Sequence, residues 1–219
     1  MGRGLIFDCD GVLVDSEVLA AAELGLLLAR HGVVLPEARI YADFLGRSQD
    51  AMVARIRRDH GLDLTPHLPA YAAALADRFR RDLRAVPGMA RTLGALGGPR
   101  AVASSSAPAR LALSLSLTGL AERFGPHVHS AAQVARGKPA PDLFLRAAAG
   151  LGVAPADCIV IEDSPAGIAA ARAAGMRVLG FLGGSHAGPA GLRAALSGLE
   201  PDGLVEHAAE LPEILARMG

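Results

Sequence analysis

The residues Gly4-Leu5-Ile6-Phe7 form a short apolar run that stops abruptly at Asp8, Asp10 and Gly11. No other feature of the chain narrows its fold so far. An apolar run this short, cut off by acid, reads as a strand buried on both faces, the kind found in parallel sheets covered by helices. In open α/β sheets ligands bind outside the carboxyl ends of the strands. Two carboxylates one residue apart at that place therefore face a candidate site, and Gly11 suits a turn too tight for a Cβ.

Beyond this strand the chain changes character twice. From Ser16 to Arg84 it is helical: an amphipathic pattern begins with Leu19, Glu23, Leu26 and Leu27 and stops at His31-Gly32. Further helical stretches run over Ser48–His60 and Leu68–Arg84, each with charge on one face and apolar residues on the other. After Val86-Pro87-Gly88 short strands and helices take turns. Strands are expected at Ala101–Ala103, Cys158–Ile161, Arg177–Gly180 and Gly203–Val205, with helices at Leu111–Leu120, Leu143–Gly150 and Ala166–Ala174. Such alternation implies parallel strands joined by helical crossovers. The expected architecture is an α/β, doubly wound, Rossmann-like core, residues 1–15 and 86–219, interrupted by a small α-helical domain, residues 16–85.

Composition excludes several classes of function. The 22 basic and 22 acidic residues balance to a net charge of +0, and no basic block is present, so a nucleic-acid partner is not expected. No stretch approaches the roughly 18 apolar residues of a membrane span, and the first apolar run is far short of a secretory signal core. Two cysteines, Cys9 and Cys158, cannot build a disulfide framework. A soluble, cytoplasmic protein is expected, as a monomer or small homo-oligomer. One bias carries information: 21 of the 22 basic residues are Arg, and the only Lys is Lys138. A position that keeps Lys against such a drift is one where a wide, planar guanidinium cannot replace a compact ammonium.

A lone acid-x-acid pair could be a solvated turn. Three further signals at strand ends or in loops weigh against that. Ser104-Ser105-Ser106 follows one expected strand, Lys138-Pro139 lies in a loop, and Glu162-Asp163 follows another strand. Acids, a hydroxyl and one ammonium thus converge on one sheet edge. The ordered stretches Asp8–Glu17 (D-x-D-G-x-L-x-D-S-E), Ser104, Gly137–Phe144 (G-K-P-x-P-D-x-F) and Glu162–Gly167 (E-D-S-x-x-G) resemble the haloacid dehalogenase superfamily of phosphohydrolases. Within it, the chain is similar to the β-phosphoglucomutase-like and sugar-phosphatase group, whose helical cap is inserted after the first motif.

The resemblance implies an enzyme acting on a small phosphorylated metabolite with Mg²⁺. Asp8 would attack phosphorus, because a carboxylate gives a reactive acyl phosphate. Asp10 would be general acid and then general base. Ser104 would donate to the phosphoryl oxygens, and Lys138 would balance the charge of Asp8 and phosphate. Metal ligands would come from the Asp8 carboxylate, the Asp10 carbonyl and Asp163, with Glu162 beside them, a set suited to a hard cation. Gly11, Glu17, Arg47 and Ser105 are the expected substrate-binding residues.

The same resemblance separates the possible reactions. The 2-haloacid dehalogenases lack the second acid, so Asp10 argues against that reaction. A phosphomutase of the β-phosphoglucomutase type is the alternative, and a non-catalytic binding protein is disfavoured because Asp8, Asp10 and Lys138 are all kept. In the mutases a cap His falls where this chain has Ala20, and Lys-Asn falls at Ala107-Pro108. Their cap Arg lies in the stretch read here as Gly46-Arg47-Ser48-Gln49. Arg47 or Arg110 could partly replace the lost phosphate contacts. Weaker signals are read structurally: Arg78, Arg80, Arg81 and Arg84 as a solvated face, the seven histidines as surface or capping residues, Cys9 as pointing away from the site, and Gly183-Gly184-Ser185-His186 as a turn.

Overall fold

A computed structural model of the chain describes residues 3–44 and 46–218. Among these residues six strands form one sheet in the order β3-β2-β1-β4-β5-β6, and every neighbouring pair is parallel. The strands are β1 (Gly4–Phe7), β2 (Arg100–Ser104), β3 (Val128–Ser130), β4 (Cys158–Glu162), β5 (Arg177–Phe181) and β6 (Gly203–Val205). Chain order reverses at β1, which lies between β2 and β4, so the crevice at a switch of strand order opens at the end of β1.

Side chains alternate across the sheet with the period of two that a strand imposes. Leu5, Phe7, Ile159, Ile161, Leu179 and Phe181 enter one apolar layer with helices α5 (Met89–Ala95), α6 (Pro108–Leu117) and α10 (Leu211–Arg217). Ile6, Ala101, Ala103, Val160 and Val178 enter the other, with α7 (Asp142–Leu151), α8 (Pro165–Ala173) and α9 (Leu192–Ser197). Both faces are therefore covered, as an all-parallel sheet requires.

The helical insert holds α1 (Glu17–Arg30), α2 (Glu37–Phe44), α3 (Gln49–His60) and α4 (Leu68–Asp82). Leu24, Leu28, Ile40, Tyr41, Met52, Ile56 and Leu64 form an apolar cluster of its own. In contrast, Leu75 and Phe79 of α4 join the layer beneath the sheet, which ties the insert to α6. The chain leaves and returns side by side: the Asp15 N–H donates to the Arg84 carbonyl at 2.9 Å, and the Val86 N–H donates to the Leu13 carbonyl at 3.0 Å.

Several elements differ from the sequence expectation. The helix expected at Leu111–Leu120 starts earlier, at Pro108, because proline is tolerated in a first turn where no N–H bond is needed. The expected Leu68–Arg84 helix ends at Asp82. Strand β3 and helices α2, α5, α9 and α10 have no counterpart in that expectation. β3 is only three residues long, too short for a period to show.

Candidate active site

The loops after β1, β2 and β4 meet over the central strands and bring the acids together. Asp8 follows β1, and its N–H is held by the Ile161 carbonyl of β4 at 3.0 Å. Glu162 ends β4 and Asp163 follows it. One oxygen each of Asp8, Glu162 and Asp163 lie within 4.8 Å of one another, all three residues buried. Lys138, its side chain 2% exposed, donates to Asp8 Oδ1 at 2.5 Å and to Glu162 Oε2 at 2.6 Å. Its ammonium also lies 4.9 Å from the Phe144 ring centroid.

Local structure fixes Glu162. Its Oε1 accepts from the N–H groups of Asp163 and Ser164, at 3.1 and 3.0 Å, and from the Ser164 hydroxyl at 2.8 Å. The Ser164 hydroxyl in turn caps α8 by accepting from the Gly167 N–H. A Cβ at Gly167 would overlap the Glu162 carboxylate, so the glycine makes the cradle possible. Gly11, at φ +80°, serves the same purpose on the opposite side, where a Cβ would meet Asp163 Oδ2.

Burial of so many acids is costly. It pushes the Asp8 carboxyl well above the usual range, helped by Glu162 and Asp163 and opposed by Lys138. Asp163 rises for the same reason, burial first and Glu162 next. Burial would discharge Lys138, but Asp8 and Glu162 outweigh it and raise the pKa of the ammonium. Three buried carboxylates against one ammonium leave a negative excess that an oxygen-liking divalent cation would offset. The donor set therefore fits a hard metal ion.

Asp10 sits in different company. Its Oδ1 accepts from Ser16 Oγ at 2.6 Å and Arg110 Nη2 at 2.8 Å, and its Oδ2 from Ser106 Oγ at 2.6 Å and Ser104 Oγ at 3.3 Å. Burial would raise Asp10, yet Arg110 and the Ser106 and Ser16 hydroxyls hold it below the usual carboxylate value. Ser16 begins α1 without capping it, because its hydroxyl turns to Asp10.

A cavity of about 870 Å³ opens between this edge and the insert. Asp8, Asp10, Glu17, Arg47, Ser104, Ser105, Lys138 and Glu162 all line it. Gly11 does not; it shapes the turn behind Asp163. Asp163 also stands behind the wall, beside Asp8 and Glu162. Of the positions compared with the mutases, Ala20, Gln49 and Ala107 line the cavity and Pro108 does not. Glu17 is half-buried there, and burial together with the charge of Asp10 pushes its carboxyl up to about 7, against the pull of Arg110.

Two residues read as bystanders have other places. His186, expected at the surface or capping, is 0% exposed, with Nε2 2.9 Å from Asp163 Oδ2. Its loop is anchored by the Asp15 carboxylate, which accepts from the N–H and hydroxyl of Ser185. His129 is likewise buried. The sequence signal for His186 is weak, a glycine pair after a strand. Arg110 and Ser106 were not expected to hold Asp10; the i, i+2 spacing of Ser104 and Ser106 is the signal that favours Ser106 over Ser105 as its partner. Cys9 is wholly buried in the apolar layer, as expected. The arginine stretch agrees with a solvated face only in part: Arg81 and Arg84 are exposed, whereas Arg78 is partly buried against Glu23 and Asp82, and Arg80, exposed and paired with Asp77, lines the cavity.

The chain matches the haloacid dehalogenase-like hydrolase family over residues 3–175. It is 29% identical over 189 residues to the 6-phosphogluconate phosphatase of Escherichia coli (strain K12), covering 85% of this chain and 86% of that one. A haloacid dehalogenase-like protein of Agrobacterium tumefaciens is 35% identical with a TM-score of 0.84, covering 100% of this chain and 99% of its own. A hydrolase of Deinococcus radiodurans, solved with bound phosphate and sodium, is 36% identical with a TM-score of 0.77, covering 99% and 96%.

Proposed function

The chain belongs to the haloacid dehalogenase-like hydrolase family, its curated relatives mark it as a phosphoric monoester hydrolase, and we propose that it is a Mg²⁺-dependent phosphatase of a small sugar phosphate or related phosphomonoester. The observation that carries the reading is Lys138 bridging Asp8 and Glu162 beside Asp163 at the cavity floor. Residues 16–85 act as the cap that closes over the substrate, and the core comprises residues 1–15 and 86–219.

Asp8 is the nucleophile: its oxygen forms a bond to phosphorus as the bond to the alcohol oxygen breaks. Asp10, protonated from solvent once bound substrate displaces one of its donors, gives that proton to the departing alkoxide, then takes one from the water that cleaves the aspartyl phosphate, releasing phosphate and restoring Asp8. Lys138 keeps a positive charge against both Asp8 and the incoming dianion, and Ser104 supplies a donor for the phosphoryl oxygens. Asp8, the Asp10 carbonyl and Asp163 would hold Mg²⁺, with Glu162 behind them; bound there, the ion neutralises the repulsion between carboxylate and phosphate. Glu17, Arg47 and Ser105 meet the organic half of the substrate.

Hydrolysis rather than phosphoryl return fits the cavity wall. Ala20 and Ala107 are small and apolar, and Gln49 is uncharged, so the wall lacks the cap His and the Lys-Asn pair with which the resembling mutases hold a bisphosphate for phosphoryl return, and a single arginine contact does not replace that set. The name of the Escherichia coli relative supports a sugar-phosphate substrate. The test is a panel of phosphomonoesters assayed for phosphate release with Mg²⁺, after EDTA, and with Ca²⁺. Turnover should need Mg²⁺ and fall with Ca²⁺, whose looser coordination misplaces the nucleophile. Phosphate release undiminished by exhaustive chelation would overturn the metal requirement, and glucose 6-phosphate forming faster than phosphate from β-glucose 1-phosphate would favour the mutase.

A further inference from the structure

We propose that the cavity selects phosphomonoesters carrying a second anionic group on their alcohol half, and that Arg110 is the residue that takes it. The proposal rests on the phosphatase reading and deepens it by naming the substrate class.

Arg110 lies in the first turn of α6, on the cavity wall beside Asp10. Its guanidinium carbon stands 5.3 Å from the centroid of the Phe79 ring, so it spans from the core to α4 of the insert. Nη2 donates to Asp10, while Nε is buried without any partner. A buried donor left unmade is costly, and here the orphan shares an edge of the guanidinium with Nη2. That edge presents two parallel N–H bonds, the geometry that fits a carboxylate or a phosphate and that one hydroxyl oxygen cannot match.

The hydrogen bonds of Asp10 point the same way. A carboxylate offers about four lone-pair sites, and all four of its donors are in place: Ser16, Ser104, Ser106 and Arg110. To serve the leaving oxygen Asp10 must lose one of them. Ser104, the longest of these contacts at 3.3 Å, turns its hydroxyl to the phosphoryl group, and of the remaining donors only Arg110 is both charged and long, with its side chain 29% exposed. Released from Asp10, a half-buried guanidinium needs another anion. A substrate anion on the Nε–Nη2 edge would satisfy the orphan Nε and replace Asp10 as the partner of Nη2. The same group that positions the alcohol half would thereby free the acid that acts on it.

The probes are matched esters that differ only in that group: gluconate 6-phosphate, glucitol 6-phosphate and glucitol 1,6-bisphosphate, with 3-phosphoglycerate and glycerol 3-phosphate as a shorter pair. The wild-type enzyme should favour an anion-bearing ester over its neutral partner at least 10-fold in kcat/KM, and the carboxylate and phosphate arms show which anion is taken. Arg110→Gln should lower that ratio at least 10-fold, chiefly through KM, and Arg110→Lys, a point charge without the paired edge, should retain part of it. No preference in either chain length, or a preference intact in these variants, overturns the proposal. If Arg110→Gln does not fold, the Lys variant decides by the same ratio. If no ester releases phosphate, the phosphatase reading fails separately, and calorimetric binding of the same esters to the wild-type and Arg110→Lys proteins applies the same ratio to Kd.

Discussion

Lys138 Nζ stands 2.5 Å from Asp8 Oδ1, on a side chain only 2% exposed, across 130 residues of sequence. The only lysine of the chain thus occupies a slot sized for an ammonium, closed by Glu162 on one side and the Phe144 ring on another. A guanidinium has no room there and points its donors differently. Lys138→Arg should therefore lose activity almost as fully as Lys138→Ala, both by about 100-fold or more, the scale of a lost buried charge contact. Steady-state phosphate release from the two variants checks this; near-wild-type turnover in Lys138→Arg would refute the fit argument.

Asp8 is held among acids that resist its ionisation, with Glu162 and Asp163 nearby. Asp8→Asn removes both the attacking oxygen and one of the crowded charges. Turnover should vanish, while Tm stays at or above the wild-type value. Residual phosphatase activity after active-site titration would sink the assignment of the nucleophile.

His186 packs its Nε2 against Asp163 Oδ2 with the ring fully buried. Partners that orient a metal ligand are worth roughly 10–100-fold in metal affinity. His186→Gln should weaken Mg²⁺ binding by about that factor, measured by calorimetry on the substrate-free protein. An unchanged Mg²⁺ affinity in a folded variant would show that His186 only fills space.

Glu17 has its carboxyl raised to about 7 from an unfolded value of 4.5. Below pH 4.5 the folded and unfolded chains both keep the proton. Between 4.5 and 7 the unfolded chain releases it and the folded chain does not, so this contribution to stability is lost as pH rises through that window. The full shift is worth at most about 3 kcal/mol, less for a half-buried group that still meets solvent. Glu17→Gln, which has no proton to release, should raise Tm by several degrees at about pH 8 and change it little at about pH 4. Thermal melts at the two pH values decide it, and equal effects at both would contradict the shift.

The chemistry was legible in the sequence because each reacting group is a local signal. Asp8, Asp10, Glu162 and Asp163 each follow or end a strand that apolar patterning reveals, and in a parallel sheet strand ends of one polarity share an edge. Lys138 was legible through bias, as the single Lys among 21 Arg. The inserted helices were visible through their period, although α2 was not.

Only the tertiary structure decided who stands next to whom. Arg110 reaches Asp10 across 100 residues, and Ser185 reaches Asp15 across 170. Neither pairing has a spacing or period to read, because it depends on strand order: β1 lies between β2 and β4, and β5 lies beside β4. The same packing turned His186 inward onto Asp163 and chose Ser106 over Ser105 for Asp10. The order of residues sets which groups the strand ends and loops carry. Desolvation, packing volume and hydrogen-bond geometry act only once distant segments meet, and they settle which of those groups face one another.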